Sequence, residues 1–125
     1  MTTHHARPLL GVEVEFSCRA EPEFTDVRGN ALASGDDAFD RAAEDEILAQ
    51  LARGNEWAWC NVVVTAEWRG FTGTDSLGCC SYASATDFRE GGYFKDMKQR
   101  ALEELNSRIS DAVSELQPVL VCSEP

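Results

Sequence analysis

The chain has 125 residues, 43% of them hydrophobic and 26% charged, which is enough for one domain burying roughly 65 to 70% of its unfolded surface and too apolar for wholesale disorder. Its 22 Asp and Glu against 11 Lys and Arg give a formal net charge of -11, which repels naked nucleic acid. No run nears the roughly 18 apolar residues that span a bilayer, the N-terminus lacks a secretory pattern, and five cysteines leave an odd thiol. A cytoplasmic protein with free thiols is the expectation, without direct nucleic-acid or membrane binding.

In chain order, residues 10–20 ("LGVEVEFSCRA") alternate Leu10, Val12, Val14, Phe16, Cys18 and Ala20 with polar or small neighbours. That period of two is a strand with one buried and one wet face. Residues 21–35 hold one proline and two glycines and read as a long loop. From residue 36 to 53 the period changes, and Phe39, Ala43, Ile47, Leu48 and Leu51 share one helical face. Ser34 or Asp36 is its cap, acids occupy the first turn, and Gly54 and Asn55 end it.

Alternation returns over residues 56–68, "EWAWCNVVVTAEW". Ala58, Cys60, Val62, Val64, Ala66 and Trp68 lie on one side; Trp57, Trp59, Asn61, Val63, Thr65 and Glu67 lie on the other. Residues 69–75 are turn material before a third strand over 76–83, an antiparallel hairpin. Ser84 and Asp87 have capping-box spacing and Gly91–Gly92 a hinge. A long helix over 93–116 follows, its stripe running through Phe94, Met97, Ala101, Leu105, Ile109, Ala112, Val113 and Leu116, with Pro118 after its end. The expectation is one α+β domain over residues 1–125, flexible at 1–8 and 119–125. Its order is β-α-β-β-α, a three-stranded, mainly antiparallel sheet with both helices on one face; the alternative puts them on opposite faces.

Neighbours on a strand diverge, so Cys79 and Cys80 cannot share a tetrahedral metal or readily bond each other. Single cysteines at 18, 60 and 122 do not supply the repeated short spacing of a zinc site. The alternation sends Cys18, Cys60 and Cys79 to the core and Cys80 outward with Trp57, Trp59, Val63 and Tyr82, an aromatic patch that also holds Glu13, Glu15 and Glu67. A contact surface, or cover by residues 21–35, is expected there. His4 and His5 sit in an unpatterned N-terminal stretch, and "GFTGTDSLG" lacks the lysine and helix of a phosphate loop. Neither an enzyme, a metal nor a cofactor is expected.

The runs "GNEWAWCNVVVTAEWRGFTGTDSLGCCSY" and "DFREGGYFKDM" resemble a family of small acidic proteins encoded by bacteriophages and plasmids, over roughly residues 50–106. The resemblance implies a mobile-element context and supplies no catalytic residue. Small acidic phage proteins include inhibitors of host defence, anti-CRISPR and anti-restriction proteins among them, and some imitate the charge of DNA. Residues 12–56 carry twelve acids against four arginines, a net of -8. Asp36, Asp37, Asp40, Glu44 and Asp45, with Glu13 and Glu15, are therefore the candidate contacts to a basic nucleic-acid-binding protein of a bacterial host, with Trp57, Trp59 and Tyr82 lending shape. The alternative is an oligomeric accessory module, a homodimer formed through the aromatic sheet face.

Overall fold

A computed structural model of the chain describes the backbone of residues 7–122 and side chains through residue 117. His4, His5, the side chain of Cys122 and most of the two termini expected to be flexible lie outside the described residues. The elements are β1 (Glu15–Pro22), α1 (Asp37–Ala52), β2 (Cys60–Trp68), β3 (Phe71–Cys80), α2 (Ala85–Glu90) and α3 (Gly92–Cys122), with 3-10 turns at Gly11–Glu13 and Glu56–Ala58. The sheet has the order β1-β2-β3 and both pairings are antiparallel, so the class is α+β. Among the described residues no helix is long and apolar enough to cross a membrane.

One helix builds the core. Met97, Ala101, Leu102 and Leu105 of α3 bury themselves on Cys60, Val62, Val64 and Ala66 of β2, with Phe16, Cys18 and Ala20 of β1 closing one side. On β3 the facing residue is Gly73, which is buried. A Cβ there would lie 2.3 Å from the carbonyl oxygen of Ala101 and 2.3 Å from the amide nitrogen of Leu105. The helix backbone therefore rests directly on the strand backbone. Arg100 pins the contact through Asp75 at 2.8 Å, and the Glu104 carboxylate accepts from the edge amide of Thr74 at 3.3 Å.

Expected and observed elements differ at four places, each for a physical reason. The first strand begins at Glu15 because Glu13 folds back and accepts from the amide of Leu10 at 2.7 Å, closing a 3-10 turn in which Val12 is 91% exposed. The hairpin turn is two residues, Arg69 and Gly70, both at positive φ (48° and 85°), the mirror-type turn that suits the twist of paired strands, so β3 starts at Phe71. α3 continues past Pro118, which forfeits one helical hydrogen bond. Between the hairpin and α3 lies the extra helix α2, capped by Ser84, which accepts from the Asp87 amide at 3.2 Å while Asp87 accepts from the Ala83 amide at 2.9 Å.

The packing of the first helix also differs. No residue of α1 belongs to the core cluster, and α1 packs chiefly on the Glu56–Ala58 turn. With α3 occupying the inner sheet face, the two helices are not layered together there. Gly73→Ala is expected to push α3 off β3 and to destabilise the protein by about 1–3 kcal/mol or more, read as a lower urea midpoint. An unchanged midpoint would mean that the helix does not rest on this backbone.

Candidate partner-binding surface

The aromatic patch expected on the outer sheet face is divided by two local departures from a regular strand. In the first, Cys60 pairs with Cys80 but Val62 pairs with Leu77, so two steps on β2 are matched by three on β3. The extra residue is a β-bulge, and Cys79 takes a left-handed φ of 55° within it. The parity of the strand flips there. Cys80 is buried in the core, and Cys79 is exposed with its thiol donating to Glu23 at 3.3 Å, the reverse of the expected assignment. Burial pushes the Cys60 thiol up to about 12 and raises that of Cys80 as well, so both stay protonated as wall.

In the second, the Glu56–Ala58 turn rotates Trp57 out of alternation with Trp59. Trp57 stacks on Phe88 at 5.8 Å, and Tyr82 meets the same ring edge-on at 5.1 Å. Trp57 and Tyr82 thus belong to the helix-covered side, where burial raises the Tyr82 phenol. Trp59 stays on the outer face but is covered: its indole N–H donates to the carbonyl of Thr25 at 2.8 Å, and Val63 and Val27 are buried too. The loop of residues 23–35 is the cover, and the three aromatic side chains are engaged within the chain.

The acids divide into two groups. Asp36 caps α1, accepting from the amides of Ala38 and Phe39, both at 3.1 Å. Asp40 accepts from the Ser34 hydroxyl at 2.6 Å. Glu44, only 7% exposed, accepts from Arg28 at 3.0 Å and from the amide of Gly29 at 2.9 Å; Asp45 takes the other arm of Arg28. These carboxylates fasten the loop to α1. Glu13 is likewise paired with Arg7 at 2.6 Å. Asp37 and Glu15, by contrast, have no ion pair among the described residues, and Glu15 faces Glu67 directly across the β1-β2 ladder, an unfavourable like-charge pair.

Arg28 and Gly29 were not singled out from the sequence, and Ser34 was read there only as a candidate cap. A signal existed: Glu44 lies on one helical face with Asp40, Ile47 and Leu51, where a carboxylate needs a donor brought to it. Beside α1 runs a cleft of about 250 Å³, with Glu46 of α1 and Asp87 of α2 on its walls together with Asn55 and Tyr82. Apolar Ile47, Ala58 and Ala83 share its lining with these polar groups, a mixture that matches the apolar stem and charged head of a long basic side chain.

No family model, curated protein or solved structure matches this chain.

The Gly29 amide, and then the Arg28 guanidinium, hold the Glu44 carboxyl below its ordinary range. A depressed carboxyl contributes stability that is fully present above its unfolded value of about 4.3 and is lost as pH falls through the folded value. The loop clasp is therefore expected to be intact at neutral pH and to open in the acid window below about pH 4. A carboxyl-carbon NMR titration of Glu44, followed alongside exchange of the Gly29 amide, checks this. Titration at the ordinary value with no change in Gly29 exchange would contradict it.

Proposed function

We propose that this protein is a non-catalytic binding protein that presents α1 and the neighbouring carboxylates to a basic, nucleic-acid-binding protein of a bacterial host. The observation that carries this reading is the position of α1 outside the core. It holds five carboxylates against one arginine, while Phe39 is 61% exposed and Leu48 is exposed beside them. An apolar side chain ringed by acids has the make-up of a contact point: charge speeds the encounter and the buried ring holds it.

The two groups of acids give this surface a division of labour. Asp36, Asp40, Glu44 and Asp45 pre-organise α1 and its loop, while Asp37, Glu46 and Glu15 remain directed at solvent. Pre-organisation supports binding because less ordering entropy is lost on contact. The cleft beside Glu46 and Asp87 supplies shape for an inserted Arg or Lys. With the resemblance to small acidic proteins of phages and plasmids, the partner is read as a defence component, CRISPR-Cas or restriction, whose nucleic-acid groove the acids occupy as a DNA mimic in the host cytoplasm.

The test uses acids that fasten neither the loop nor the cap of α1. A variant with Glu15→Gln, Asp37→Asn and Glu46→Gln keeps size and capping and removes three charges. Capture from bacterial lysate is expected to yield basic nucleic-acid-binding proteins that wash off as salt rises, and the variant is expected to bind them roughly tenfold more weakly with a flatter salt dependence. Equal capture by both proteins at low and high salt would sink the proposal.

A further inference from the structure

α3 has 31 residues, about 46 Å of helix, against strands of at most 10 residues, about 33 Å. It overhangs the sheet at the hairpin end. The part of its apolar stripe beyond Leu105, namely Ile109, Ala112, Val113 and Leu116, lines an open groove of about 400 Å³ together with Arg7, Leu9, Trp68 and Phe71. Leu116 is 56% exposed and Phe71 is exposed as well. Among the described residues no carboxylate lines the groove, and the one charged residue there, Arg7, is paired with Glu13. In a chain of net charge -11 that is a segregated surface. It lies at the Trp68 end of β2, whereas α1 packs near the Cys60 end, about 26 Å away along the strand.

We propose that this groove is a homodimer interface in which the overhanging halves of two α3 helices pair antiparallel about a two-fold axis near Ala112. The spacing of the stripe argues for a second copy of this chain as the occupant. Leu102, Ile109 and Leu116 recur every seven residues, with Leu105 and Ala112 in the adjacent row, the seam of a helix pair. Small Ala112 at the axis lets the backbones approach, and Ile109 then meets Leu116 of the second copy. The charges agree with the same axis. Arg108 and Glu115 lie seven residues apart on one flank of the stripe, and like flanks face each other in an antiparallel pair. Arg108 of each copy therefore faces Glu115 of the other, twice over, as a self-complementary interface requires. Among the described residues Arg108 pairs with Glu104 at 2.9 Å and stays more than half exposed, so that it can reach a second carboxylate.

Two turns of helix and a hairpin tip make a small interface, so the dissociation constant is expected on the order of micromolar. Sedimentation of the full chain from roughly 1 to 500 µM is expected to show monomer passing into dimer. Leu116→Glu, at a site exposed in the single chain, should keep the circular dichroism spectrum and weaken the dimer by roughly a hundredfold or more. Arg108→Glu and Glu115→Arg should each weaken it roughly tenfold, and the two together should restore it, because the pairs are exchanged rather than lost. A chain that stays monomeric throughout, a dimer indifferent to Leu116→Glu, or a double variant as weak as the single ones would overturn the proposal. None of these readouts involves a host protein, so they stand or fall separately from the reading of α1.

Discussion

The contact of α3 with the backbone of Gly73 governs the arrangement of the whole molecule. With no side chain between them, helix and strand approach until the Ala101 carbonyl and Leu105 amide lie where a Cβ would be. At that separation Met97, Ala101 and Leu105 pack on Val62, Val64 and Ala66, and Phe88 from α2 completes the layer between Trp57 and Tyr82. The inner face of three strands is then fully used by one long helix and one short one. Layered domains normally bury one face of each helix against a sheet, and here no inner face remains for α1.

The consequence for α1 is that polar bonds hold it more than apolar burial does. Its one buried residue is a glutamate, and besides its packing on the Glu56–Ala58 turn its polar links run through Asp40, Glu44 and Asp45 to residues 28–34. The same loop roofs Trp59 on the outer sheet face. Loop and helix thus form one appendage, fastened by carboxylates, whose loop lies against the sheet through the Trp59 indole, buried Val27 and the Cys79–Glu23 bond. An element of this kind gives up little stability to remain exposed, which is the physical basis for reading it as the contact surface. The groove at the overhanging end of α3 is the opposite case: apolar, with no carboxylate among the described residues that line it, and at the far end of the sheet.

Much of the fold was legible because alternation reports faces wherever a strand is regular. Phe16, Cys18 and Ala20, and Val62, Val64 and Ala66, lie as their period indicates, as does the stripe of α3 from Phe94 to Leu105. Failures arose where backbone geometry departs from that period. A single left-handed residue at Cys79 moved every later side chain to the other face, and a 3-10 turn did the same to Trp57; neither leaves a mark in hydrophobic patterning. The α1 error has another origin. Phe39, Leu48 and Leu51 formed an apolar face on paper, but a helix follows the side chains that can be satisfied, and Glu44 with two donors outweighed that face. Of the candidate site, the concentration of acids was visible in sequence, while its division into fastening and solvent-directed carboxylates depended on where residues 28–34 returned.

The most direct test of this account is native-state hydrogen exchange resolved by residue. Amides of α1 are predicted to exchange orders of magnitude faster than those of Val62–Ala66 and of α3 at Ala101–Leu105, because opening the appendage exposes only a small apolar area while opening the core requires global unfolding. Protection of α1 equal to that of the central strand would contradict the account, since it would place α1 within the cooperative core.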